Sequence, residues 1–150
     1  MDNALMRIAV LFVLLVPAGI GGTGCAGTAD AAANVALPPR KEEQLGDEVS
    51  EDYEAKENVD LYEGEEVNAY IDRLGQRAVE AAGSRSPEPI DYDFKVIDAP
   101  ETVNAFAMPG GYIYVYTGLI EQAETEAEVM SVMCHEVAHV TERHIAKSLA

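Results

Sequence analysis

The chain has 150 residues, with 27 acidic side chains against 10 basic ones, a net charge of −17, three histidines and two cysteines. That length suits one domain with a modest core, and 48% hydrophobic with 25% charged is a globular composition rather than a disordered one. So acidic a chain is expected to bind no nucleic acid and not to dock on anionic lipid by surface charge, and two cysteines make no disulfide framework.

Arg7 precedes an unbroken apolar run from Ile8 to Val16. The run is too short to span a bilayer, which takes about 20 residues. It has the form of the apolar region of a secretory signal, so residues 1–24 are expected to be a signal peptide. Gly22-Thr23-Gly24-Cys25 resembles a bacterial lipoprotein cleavage site with Cys25 as the lipidated residue, although Gly22 stands where Leu, Val or Ile is usual. An ordinary signal with an incidental cysteine is the alternative. Small residues then run to Pro38-Pro39-Arg40, so 25–40 reads as a flexible tether and 41–150 as the domain.

Between Lys41 and Glu66 lie twelve acidic residues and two basic ones, more than half of the net charge. Leu45, Val49 and Tyr53 recur every four residues there, which predicts an amphipathic helix with its charged side in solvent. No D-x-[DN]-x-[DN]-G loop marks a calcium site. Val67, Tyr70, Ile71, Leu74, Ala78 and Ala81 predict a second helix that stops at Gly83. Ser84 to Pro89 reads as a turn. Tyr92, Phe94 and Val96 alternate with Asp91, Asp93 and Lys95, the pattern of a half-buried strand, and Pro100 ends it. Val103–Met108 and Tyr112–Tyr116 are extended runs around Pro109-Gly110-Gly111, a hairpin signal. Ile113 and Val115 should face one way, with Tyr112, Tyr114 and Tyr116 the other; such a stripe reads as packing rather than a ligand site.

The chemistry is concentrated in the last segment. Thr125-Glu126-Ala127-Glu128 has the form of a capping box, so a helix should begin near Glu126. From Val129 onward it is apolar on most sides and is expected to be buried. His135-Glu136-Val137-Ala138-His139 lies inside it, and ionisable groups in a buried helix are costly unless coordinated or paired. Residues four apart share a helix face, so both imidazoles can hold one zinc ion. Glu136, about 100° around the helix, misses the ion but can reach a water upon it. Zinc lowers the pKa of such a water to about 7, and Glu136 can take its proton as the water attacks a peptide carbonyl and pass it to the leaving nitrogen. The competing reading is two structural histidines beside a helix glutamate.

Neighbouring residues do not complete the metal's ligand set. Glu128 lies ~13 Å along the helix from an ion held between the two histidines, which is too far. His144, five residues after His139, is turned off the ligand face by helical spacing, and Cys134 reads as a small core residue. Glu142 and Ile145 stand where the longer H-E-x-x-H-x-x-G-x-x-H pattern needs Gly and His. Deformylase-like chemistry needs a cysteine ligand on a separate segment, and the only other cysteine is Cys25.

VNAFAMPGGYIYVYTGLI (residues 103–120) followed by ETEAEVMSVMCHEVAHVTERH (residues 124–144) resembles the zinc metallopeptidases related to HtpX, BepA and the mitochondrial Oma protease. The resemblance implies an α+β, zincin-like domain with a small β-sheet and a buried metal helix. It implies one Zn2+ per chain, with His135 and His139 as ligands and Glu136 as general base. It also implies that Asn104-Ala105-Phe106 lies along the cleft edge, where an extended substrate adds as a strand, and that Glu126 is a support residue early in the metal helix. Bacterial relatives with a signal work in the periplasm on misfolded or stalled envelope proteins. The family's third ligand is a glutamate on a later helix, so these 150 residues are expected to be an N-terminal portion. The expectation is a periplasmic zinc endopeptidase acting on polypeptides, lipid-anchored to the bacterial outer membrane. The alternative is a non-catalytic, chaperone-like binding module that keeps the fold.

Overall fold

The computed structural model describes residues 38–83 and 89–144. The expected signal peptide, Cys25, most of the tether and most of the Ser84–Pro89 turn lie outside the described residues. Among the described residues, four helices and a three-stranded mixed sheet make an α+β arrangement. None of the described helices is long and apolar enough to cross a membrane.

Helix α1 spans Pro39–Lys56, with proline in its first turn, Glu42 near its N-terminus and Lys56 in its last turn, all favourable for the helix dipole and backbone. Its buried side follows the expected Leu45, Val49 and Tyr53 stripe only in part, since Leu45 and Tyr53 are half-buried. Glu42, Gly46 and Ser50 are buried and Val49 is exposed. The reason is close backbone approach: a Cβ on Gly46 would collide with the carbonyl of Pro109. A contact that tight admits only small or fully paired side chains. Ser50 donates to the Asp47 carbonyl at 3.2 Å, and Glu42 Oε2 accepts from Arg143 Nε at 2.9 Å and Nη2 at 2.7 Å.

Helix α2 covers Glu65–Ala82 and buries Ile71, Leu74 and Ala78, as its apolar spacing requires. Gly83 closes it at φ 67, a left-handed conformation that favours glycine, and donates its N–H to the Val79 carbonyl at 3.1 Å.

Strand β1 (Asp93–Ile97) pairs in parallel with β3 (Tyr112–Tyr116), and β2 (Ala105–Ala107) pairs antiparallel on the other side of β3. A 3-10 turn, Pro109–Gly111, joins β2 to β3 in the expected hairpin, with Ala105 opposite Val115 and Ala107 opposite Ile113. Residues 60–62 run beside β1, where Tyr62 N–H donates to the Val96 carbonyl at 2.9 Å. The sheet's edges therefore differ: β1 is flanked by this segment, and β2 forms the opposite edge.

The short helix α3 (Thr117–Gln122), which periodicity did not predict, leads into α4 (Glu126–Thr141). Thr125 is the N-cap of α4 as expected, but its hydroxyl makes no capping bond. Glu128 instead reaches back one residue further than a capping box requires, accepting the Glu124 N–H at 2.9 Å.

The core lies between one sheet face and the helix pair α2 and α4. Phe94, Val96, Ala105, Ile113 and Val115 meet Ile71, Leu74 and Ala78 from α2 and Val129, Met133, Val137 and Val140 from α4. The other face is aromatic and polar and lies under α1. Tyr114 is wholly buried there, stacked on Phe106 at 5.0 Å and edge-on to Tyr53 at 5.5 Å. Its hydroxyl donates to Glu54 at 2.6 Å, and Lys95 Nζ donates to the same oxygen at 2.7 Å. The tyrosine run thus packs, with Ile113 and Val115 on the opposite side.

The Glu42–Arg143 pair is nearly shielded from water, so removing the carboxylate takes a buried cation's ion pair away. Glu42→Ala should lower unfolding stability by about 3 kcal/mol in urea titration, whereas Glu43→Ala on the exposed side of α1 should change it by less than about 0.5 kcal/mol.

Candidate metal centre

Helix α4 is not buried on all sides, contrary to the reading of its sequence. Val129, Met133, Glu136, Val137, Val140 and Thr141 are buried, while Ser131, His135 and Ala138 are exposed. The sheet and α2 pack on one side of the helix, and the 100° step between residues turns the other side outward. His135 therefore projects into the open and His139, one turn on, is half-buried.

The two imidazoles sit edge to face, 4.6 Å between centroids and 84° between planes. Their Nε2 atoms lie 3.0 Å apart. Two nitrogens on a tetrahedral zinc at 2.0–2.1 Å would be about 3.3 Å apart, so the pair needs only a small outward movement to hold an ion. His139 has its pKa pushed down by burial and by the neighbouring His135 and His144, which favours the neutral ring that a metal requires. Among the described residues no set of three His, Cys, Asp or Glu side chains could close around one ion.

Glu136 is 5% exposed and points inward, toward β2. Burial pushes its pKa up to about 7, against the pull of a backbone hydrogen bond from Ala107. That bond follows from the hairpin register. Asn104 accepts the Tyr116 N–H at 3.1 Å and Met108 donates to the Tyr112 carbonyl at 2.8 Å, so residues 104, 106 and 108 bond toward β3. Ala105 and Ala107, alternating with them, direct their backbone groups away from β3. A carboxyl that gains and loses its proton near neutrality, one helical step from two facing imidazoles, is suited to proton transfer.

Of the strand residues expected to contact substrate, Asn104 is half-buried and Ala105 belongs to the core. The Phe106 ring lies on the α1 side of the sheet, against Tyr53, Tyr114 and Tyr116. Glu126 ties the start of α4 to α2 through Arg77, Nη1 to Oε1 at 2.8 Å. Cys134 is a half-buried free thiol packed against the core.

His144 does not join the paired Nε2 atoms, but it lies closer to His139 than helical spacing places it. Arg143 adopts φ 51, so the helix ends and helical spacing no longer applies. The turn brings the His144 ring to His139, 4.9 Å between centroids, with the two Nδ1 atoms 2.8 Å apart. No periodic signal announces this; it depends on one left-handed residue after the motif.

The family model described as Peptidase family M48 matches residues 65–150. The chain is similar to the putative beta-barrel assembly-enhancing protease of Vibrio cholerae, 45% identical over 83 residues, which are 55% of this chain and 16% of that protein. It is 38% identical over 81 residues to the beta-barrel assembly-enhancing protease of Escherichia coli, 53% of this chain and again 16% of the relative. The mitochondrial metalloendopeptidase OMA1 of Arabidopsis thaliana is 42% identical over 62 residues, 41% of this chain and 13% of that protein. The match thus spans about a sixth of the length of these curated relatives.

The raised pKa of Glu136 has a consequence for the metal-free protein. The folded state binds this proton more tightly than the unfolded chain, whose carboxyl titrates near the ordinary 4.5. Its stabilising effect is complete below about pH 4.5 and is lost as pH rises through about 7. In thermal melts from pH 4 to 8, wild-type Tm should fall relative to that of Glu136→Gln across this window, and a parallel course would place the carboxyl's titration elsewhere.

Proposed function

The chain belongs to peptidase family M48, and from that premise we propose that it is a zinc-dependent endopeptidase in which His135 and His139 hold the ion and Glu136 is the general base. The observation that carries the reading is the pair of Nε2 atoms 3.0 Å apart, with a buried carboxyl on the intervening turn. Zinc bound there would supply Lewis acidity toward water and the scissile carbonyl. Glu136 accepts the proton of the attacking water and returns it to the leaving nitrogen, held in place by Ala107. The protein's third ligand is proposed to come from a glutamate on a later helix, as the family resemblance implies.

Residues 104–106, at the start of β2, are proposed to take an extended polypeptide along their outer edge. The hairpin register supports this through Ala105, whose backbone groups are directed away from β3. The role falls to the main chain here, because the Phe106 side chain is committed to the aromatic layer beneath α1. For substrates, we propose misfolded or stalled envelope proteins, in keeping with relatives named as beta-barrel assembly-enhancing proteases. A signal at 1–24, a lipidated Cys25 and residence in the periplasm at the outer membrane complete the proposal.

Zinc titration and casein cleavage test the reading on this chain and on a form extended past residue 150. One zinc per molecule and metal-dependent cleavage are expected in the extended form. Glu136→Gln should keep the zinc and lower cleavage by at least about 100-fold, and His135→Ala should lose the zinc. Cleavage retained in Glu136→Gln removes that residue as base. An extended form that binds one zinc and cuts nothing turns the reading to a binding module that keeps the fold.

A further inference from the structure

A histidine that gives its Nε2 lone pair to a metal must carry its own proton on Nδ1, and the hydrogen bond made by Nδ1 decides how readily it does so. The Nδ1 of His139 faces the Nδ1 of His144 at 2.8 Å, while its Nε2 faces His135 at 3.0 Å. Between three uncharged rings these two hydrogen bonds can run in either of two directions. In one, His135 donates to Nε2 of His139, which donates from Nδ1 to His144. In the other every proton is reversed, and the His139 proton occupies the nitrogen that would face the ion. We propose that His144 is a positioning residue for the metal centre, accepting the Nδ1 proton of His139 so that the Nε2 lone pair is directed toward the ion. The inference rests on the reading of His139 as an Nε2 ligand.

Three features hold His144 in place for this role. Arg143 takes the left-handed conformation that turns the chain back beside the last turn of α4. Its N–H bonds the Val140 carbonyl at 2.8 Å, and its guanidinium is buried against Glu42 of α1. The residue before His144 is thereby fixed at both backbone and side chain, which limits the ring's freedom to leave His139. His144 itself is exposed, so replacing it opens no cavity in the core.

The test reads the proton directly on the metal-free 150-residue chain, by long-range 1H–15N correlation of the His139 ring. His139 should be mainly Nδ1–H in wild type and mainly Nε2–H in His144→Phe. His144→Asn, which can place a carbonyl oxygen where the accepting nitrogen was, should restore the Nδ1–H form. Zinc affinity, read by competition with a chromophoric chelator, should drop by about 10- to 100-fold in the Phe variant and largely return in the Asn variant. An Nε2–H ring in wild type, or one tautomer and one affinity across all three proteins, would overturn the proposal. A wild type that takes no zinc counts against the metal reading alone, because the tautomer still decides the part played by His144.

Discussion

Successive residues of an α-helix are turned about 100° from one another, and at His135–Glu136 that turn is the boundary between solvent and core. The imidazole of His135 is exposed, while the carboxyl beside it in sequence is 5% exposed. Such a division exists only if α4 is covered on one side, which α2 and the sheet accomplish through Val129, Met133, Val137 and Val140. It also needs a polar partner inside, because a buried carboxyl with no hydrogen bond is costly. The partner comes from the register of a three-residue strand: β2 pairs with β3 through residues 104, 106 and 108, which leaves Ala107 to turn its N–H toward Glu136. A shift of one residue in that pairing would invert the alternation and withdraw the bond.

The negative charge is not only a solvating coat. Three acidic residues of α1 make specific bonds: Glu42 pairs with Arg143 and Glu54 accepts from both Tyr114 and Lys95, while the exposed Asp47 accepts the Tyr112 hydroxyl at 2.9 Å. Each meets the far face of the sheet or the end of α4. In Glu54, burial alone would raise the pKa, but its bonds to Lys95 and Tyr114 outweigh that and hold it below the ordinary carboxylate value. The carboxylate therefore stays charged where it is needed as an acceptor. Burial and the bond to Glu54 both push the Tyr114 pKa up, so the hydroxyl stays protonated as the donor.

Much of this was legible in local pattern. Helix α2 and its glycine stop follow from apolar spacing, and the hairpin follows from Pro109-Gly110-Gly111 between extended runs. The pairing of His135 with His139 follows from their four-residue separation. The contacts that sequence concealed are those set by distant partners. The most buried residues of α1 are chosen by the turn at Pro109 that it rests on, so of the apolar spacing Leu45, Val49 and Tyr53 only Leu45 and Tyr53 are partly covered. The parallel pairing of β1 with β3 joins strands with β2 between them in sequence, and no local signal specifies it. Helix α4 looked apolar on most sides, but apolar residues also occupy partly covered positions, such as Val132 and Cys134.

The same distinction explains the end of α4. A non-glycine residue in the left-handed region costs roughly 1–2 kcal/mol, and glycine is the usual residue where a helix closes this way. Arg143 adopts that conformation nonetheless. The compensation is not local, since it comes from a carboxylate 101 residues earlier in the chain. Breaking a buried ion pair costs about 3–5 kcal/mol, more than the backbone strain, so the folded state keeps the arginine where glycine would fit more easily. Glycine there would relax the turn and leave Glu42 buried without its cation. Helix α1 precedes the segment that matches the family, which starts at Glu65, yet through this pair it fixes the turn that carries His144 to His139. The acidic helix is in this way a structural brace for the histidine cluster at the end of α4, although neither its sequence pattern nor its position in the chain suggests it.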